Sequence, residues 1–93
     1  MSAVQPVLGP RARAAMRLPA GGSKRQKVLV LIAAYLDAGE SSPSIRDLAG
    51  RCHLDAPLVA LLVSRLARDG LIEVEWRAGP ERRNVYRLPG GSP

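Results

Sequence analysis

Apolar residues follow three helical phases along this chain and then switch to strict alternation. Val28, Leu31, Ile32, Tyr35 and Leu36 recur at helical spacing behind Ser23, a plausible N-cap, and ahead of Gly39, which supplies a left-handed stop. This predicts a first helix over Lys24–Ala38. Ser44 with Asp47 three residues on resembles a capping box, and Ile45, Leu48 and Ala49 give a short inward stripe before a turn over residues 50–54. Asp55 then caps a third segment, with Pro57 in the first turn, where no intrahelical hydrogen bond is lost. Val59, Leu62, Val63 and Leu66 form its core face, and Asp69 with Gly70 ends it.

Beyond Gly70 the period changes to two. In Leu71–Trp76, Ile72, Val74 and Trp76 share one face while Glu73 and Glu75 take the other; Val85, Tyr86 and Leu88 answer them after a turn containing Gly79 and Pro80. This predicts an antiparallel hairpin in which Trp76 and Tyr86 face each other and pack on the third helix. Residues 40–43 form a link that Pro43 keeps extended. Ahead of the first helix, residues 1–22 mix Pro and Gly with scattered arginines and are expected to form a flexible arm, with a short helix available around Arg11–Leu18. The expected organisation is an arm over 1–22, one folded domain over 23–90 and a tail over 91–93.

Composition narrows the functional classes. Apolar residues make up 46% of the chain and aromatics 3%, so one core of aliphatic side chains is expected. Cys52 is the single cysteine and His53 the single histidine, too few for a disulfide or a four-ligand zinc site. No cofactor is expected, and a reducing, cytoplasmic setting fits best. The longest apolar run, Val28–Leu36, is far short of the about 20 residues a membrane span needs. No apolar block resembles a secretory signal, so export is not expected. No nucleophile is paired with a base, no phosphate-binding glycine loop is present, and no carboxylate pair sits in an apolar setting, which argues against an enzyme. No small-molecule ligand is evident in the pattern.

The net charge of +6 is unevenly placed. Arg11, Arg13, Arg17, Lys24, Arg25 and Lys27 stand in the first 27 residues without an acid, while cations and acids balance in the remainder. A basic leading segment suits a polyanion, because each phosphate it neutralises releases counterions. A solubilising role is the alternative.

The order of capped helix, turn, capped helix and arginine-tipped hairpin carries a family resemblance. The run SIRDLAGRCHLDAPLVALLVSRLARDGLIEV resembles the pattern of bacterial winged-helix regulators, including MarR-type and LexA-type domains. GPERRNVYRL is similar to their wing, through Glu81, Arg83, Asn84, Tyr86 and Leu88. The resemblance covers Lys24–Leu88. It implies a mostly α fold with a small β-hairpin: a winged helix-turn-helix of three helices and a two- or three-stranded antiparallel wing. The implied function is sequence-specific binding of double-stranded DNA, as a small nucleoid-associated regulator, with helix 55–69 in the major groove and wing 77–87 on the flanking backbone or minor groove.

The candidate contacts follow from that geometry. On helix 55–69 they are Pro57, Leu58, Leu61, Ser64, Arg65 and Arg68, of which only the last three donate hydrogen bonds; Leu58 and Ala60 are suited to thymine methyls. On the wing they are Arg77, Arg82 and Arg83, which with Arg87 outweigh Glu81; a solvated turn is the alternative. Ser44 and Arg46 at the start of the second helix are placed for a phosphate, and Lys24 and Arg25 extend the basic surface. The competing account makes the domain a protein-interaction module or adaptor with Leu58 and Leu61 as exposed anchors, or a homodimer. Cys52 is expected to be a packing residue and His53 a satisfied polar one.

Overall fold

The computed structural model describes residues 9–39, 42–77 and 83–89. Four helices and a two-stranded antiparallel sheet make a mostly helical domain: α1 (Pro10–Ala15), α2 (Ser23–Ala38), α3 (Ile45–Cys52), α4 (Ala56–Arg68), β1 (Glu73–Glu75) and β2 (Val85–Arg87). Among the described residues, no helix is long and apolar enough to cross a membrane.

α2 is the central element. Val28, Leu29, Ile32 and Ala33 are buried, and Val30, Leu31, Ala34, Tyr35 and Leu36 are packed against the same core. A helix that is apolar nearly all round must be covered on more than one side. Here α3 and α4 cover one flank and α1 another. The spacing predicted Leu31, Tyr35 and Leu36 as deep core. Leu29 and Ala33 take those places, because α1 draws a second side of the helix inward. Gly39 is left-handed (φ 68°) and closes the helix as expected. Ser23 is the first helical residue rather than the cap; Gly22 precedes it, without a side chain to offer.

Residues 9–22, expected as part of a flexible arm, pack against the domain instead. Ala12, Ala15 and Ala20 are buried. A helix of six residues is unstable alone, and α2 supplies both of its caps. The Asp37 carboxylate accepts the backbone N–H groups of Arg11 (3.1 Å) and Ala12 (2.9 Å), and the Gln26 amide donates to the Ala15 carbonyl. Asp37 lies late in α2 and Gln26 early, so the two helices run antiparallel. Gly9, the N-cap of α1, has no side chain to spare: a Cβ there would lie 2.6 Å from the Asp37 carboxyl. Residues 1–8 lie outside the described residues.

α3 begins with the expected capping box: Ser44 Oγ accepts the Asp47 N–H, and the Asp47 carboxylate accepts the Ser44 N–H, both at 3.0 Å. The helix runs on through Gly50 to Cys52, past the point where the turn was expected. His53 then takes the left-handed conformation (φ 57°), and the N–H groups of His53 and Leu54 turn back to the Ala49 carbonyl. α4 buries Val59, Leu62, Val63 and Leu66, the predicted face. Asp55 occupies its N-cap position with extended backbone, but its side chain makes no capping bond. Gly70 (φ 79°) ends the helix, with the Leu71 N–H returning to the Leu66 carbonyl at 2.9 Å.

In the hairpin Val74 stands opposite Tyr86, with Glu73 opposite Arg87 and Glu75 opposite Val85. Tyr86 and Ile72 are buried. Burial raises the Tyr86 phenol pKa above its ordinary value, against a smaller opposing effect of the Asn84 amide. Trp76 does not face Tyr86; it is 51% exposed. The ladder ends at Glu75, where the Arg77 N–H bonds the Asn84 side-chain oxygen (2.9 Å) in place of a strand partner, which leaves the indole outside the core.

Two stability outcomes follow. Asp37→Ala removes the acceptor of two N–H groups, and loses about 1–2 kcal/mol in urea denaturation, with the Ala12 amide losing hydrogen-exchange protection. His53→Gly relieves a left-handed side chain and gains about 1 kcal/mol in the same assay.

Candidate nucleic-acid interface

α4 carries no acid between Ala56 and Arg68, and its exposed side is a single stripe. Pro57, Leu61, Ser64, Arg65 and Arg68 are all exposed, spaced so that they fall on one face of the helix, opposite the four buried residues. Leu58 does not join them. It is half-buried and packed against the core, so of the two leucines expected outside, only Leu61, at 45% exposure, remains there. Arg65 and Arg68 occupy the last turn, where the helix dipole favours cations.

The N-terminus of α2 meets the end of α4 through an ion pair. The Arg25 guanidinium bonds the carboxylate of Asp69, the C-cap residue of α4, and the Arg25 side chain is only 16% exposed. The Arg25 hydrogen bond, with the charges of Arg25 and Arg68 behind it, holds the Asp69 carboxyl below the usual carboxylate range. Arg25 is therefore a brace between two helices rather than a free contact. Its neighbour Lys24 is exposed at the same junction. Arg68 lies 3.6 Å from Asp69 but stays 73% exposed.

The hairpin cations are less free than the sequence implied. Arg83 turns back onto the start of α3, donating to the Ser42 carbonyl (3.1 Å) and lying 3.4 Å from the Asp47 carboxylate. Arg77 pairs with Glu75 at 3.1 Å, both side chains exposed. Arg82 and Glu81 lie outside the described residues. Asn84 holds the hairpin base: it is buried, accepts the Arg77 N–H and lies 3.4 Å from the Tyr86 hydroxyl. The sequence marked Asn84 only as part of a motif. A lone asparagine entering an apolar strand is the signal that pointed to a buried polar partner.

Ser44 spends its hydroxyl on the capping box, while Arg46 in the first turn of α3 is exposed. The Ser44 N–H is the main influence keeping the Asp47 carboxyl below its ordinary range; the Ser44 hydroxyl, Arg83 and Arg51 act in the same direction against partial desolvation. Asp47 thus joins α3, its own cap and the hairpin. On α1, Arg11 lies 3.4 Å from Asp37, and Arg13 and Arg17 are exposed. Among the described residues, no group of three or more His, Cys, Asp or Glu could hold a metal ion.

No protein-family model matches the chain, and no curated protein or solved structure matches it.

The lowered Asp47 pKa sets a pH dependence. Ionised Asp47 favours the folded state above the unfolded carboxylate value of about 3.9, and this contribution is lost as pH falls through the lower folded value. Asp47→Asn is accordingly less stable than the parent by about 1 kcal/mol at neutral pH. Urea midpoints from pH 7 down to pH 2 check this: the gap between the two proteins narrows as the medium becomes more acidic.

Proposed function

We propose that this protein is a winged helix-turn-helix that binds double-stranded DNA, with α4 as the helix presented to the major groove. The observation that carries this reading is the exposed stripe of α4, which combines Pro57 and Leu61 with one hydroxyl and two arginines, with no acid anywhere in the helix. A groove-facing helix needs donors for base edges and phosphates, and an apolar group suited to a thymine methyl. Ser64, Arg65, Arg68 and Leu61 supply those types. The chain order also supports the reading: α3 and α4 are packed helices joined by a tight turn at His53, and a hairpin follows α4. Lys24 adds an exposed cation in the first turn of α2, and Arg46 one at the start of α3.

The balance of contacts differs from the one the sequence pointed to. With Arg25 braced on Asp69 and Arg83 folded onto Ser42 and Asp47, positioning rests on Lys24, Arg46, Arg65 and Arg68. The wing helps through Arg77, whose pairing with Glu75 is exposed and weak enough to exchange for a phosphate. Regulation of transcription is the role such a protein would serve in the cytoplasm.

A second reading keeps the fold and changes the partner. Leu61 lies 45% exposed in the middle of the same stripe, which suits an apolar contact with another protein or a second copy. The loss of Leu58 to the core halves the anchor pair that this reading relied on.

Fluorescence anisotropy with labelled duplex at several salt concentrations separates the two. The parent binds at low salt, and Arg65→Ala with Arg68→Ala lowers affinity about ten-fold and reduces the salt slope by about one per lost phosphate contact. No binding to random or selected duplex at low salt overturns the DNA reading. A change in oligomeric state on Leu61→Asp, with duplex binding unaffected, favours the protein partner.

A further inference from the structure

A groove of about 760 Å³ opens between α1, one side of α2 and the end of α3, and takes in no residue of α4. Its floor is the half-buried stripe Val30, Leu31, Ala34 and Tyr35 of α2. Its size and its apolar lining with a few convergent polar groups are those of a small-molecule site. The stripe from Lys27 to Tyr35 is eight residues along one helix face, about 12 Å at the α-helical rise. That length suits a linear apolar chain.

The charges around the groove are mostly positive. Lys27 and Arg51 are exposed on its edge, and the Arg51 guanidinium lies 5.6 Å from the centre of the Tyr35 ring. Among the described residues, neither cation forms an ion pair. The one acid in the lining, Asp37, is engaged by two backbone N–H groups of α1 and by Arg11. Cys52 at the α3 side is buried, and its thiol pKa is pushed up by that burial against the nearby Lys27 charge, so it lies within reach of that charge. The groove therefore pairs an apolar floor with two rim cations that form no ion pair among the described residues. A neutral or cationic guest leaves those cations without a partner. An anion with a hydrocarbon body satisfies both parts.

We propose that this groove binds a linear amphiphilic carboxylate of medium chain length, its chain lying along Val30, Leu31, Ala34 and Tyr35 and its headgroup on the cationic edge to which Lys27 and Arg51 belong. No local pattern announces it, because three separate segments build the groove and each of its residues reads as ordinary core or surface. The site stands independently of duplex binding, since it shares no residue with the α4 stripe.

Titration calorimetry on the full chain, with decanoate below its micellar concentration, tests the site. Decyltrimethylammonium matches the tail with the opposite charge, and butyrate matches the headgroup without the tail. Decanoate binds one-to-one, and both comparators bind at least about ten-fold more weakly, the loss expected for a charged contact or for most of the apolar burial. The Lys27→Glu, Arg51→Glu pair reverses the preference between the two ten-carbon amphiphiles. Ala34→Trp fills the floor and abolishes binding of both. Circular dichroism and thermal unfolding report whether each variant is folded; if Ala34→Trp does not fold, the charge reversal decides alone. Equal binding of the two amphiphiles, or a preference unmoved by charge reversal, overturns the proposal. So does a parent that excludes decanoate because it is a dimer which Ala34→Trp converts to monomer: the groove is then a contact between copies.

Discussion

The arrangement depends on the need to cover α2. Sixteen residues with apolar side chains on nearly every side form a helix that water disfavours all round, and a small domain has few elements with which to shield it. α3 and α4 shield one flank by contributing Leu48, Val59, Val63 and Leu66, and Tyr86 of the hairpin joins the same core. α1 shields another with three alanines, Ala12, Ala15 and Ala20, whose small side chains let it lie close to α2. The position of every other element follows from where it must stand to complete that cover.

Covering fixes approximate places, and a few polar side chains fix the orientation. Asp37 and Gln26 cap α1 from α2, Asp69 ties α4 to Arg25, Asp47 ties α3 to Arg83, and Asn84 pins the hairpin at Arg77. Orphaned backbone groups of α1 are thus satisfied from α2, whereas α3 is capped by its own Ser44 and Asp47 and the hairpin by its own Asn84. There is an electrostatic side effect. Three of the acids are consumed internally by N–H groups and arginines, which leaves Arg65 of the α4 stripe and Lys27 and Arg51 of the groove edge without an ion pair among the described residues, and Arg68 paired only with its exposed neighbour Asp69.

How much of this was legible in the sequence depends on the range of each interaction. The α4 core face, the Ser44 and Asp47 box, and the glycine stops at Gly39 and Gly70 are local signals within one or two turns, and they stand as written in the chain. Trp76 was misplaced because alternation was taken to continue past Glu75, whereas an asparagine side chain far along the hairpin replaces the next ladder bond. The packed α1 was missed for a similar reason. RARAAM reads as a weak helix between prolines, and what holds it is Asp37, distant in sequence and unremarkable among helix-surface acids. Arg25 and Arg83 read as free cations because no local feature announces Asp69 or Asp47 as partners.

The dependence of α1 on borrowed caps gives the domain an uneven resistance to opening. A six-residue helix with neither cap of its own detaches with far less free energy than the whole domain requires to unfold. When it detaches, it uncovers the apolar flank of α2 while α3, α4 and the hairpin remain folded. The most exposed intermediate of this protein is then a nearly native molecule with one sticky helix face. Cleavage between Gly9 and Gly22 would trap that form and leave a domain prone to self-adhesion, with its remaining core still intact.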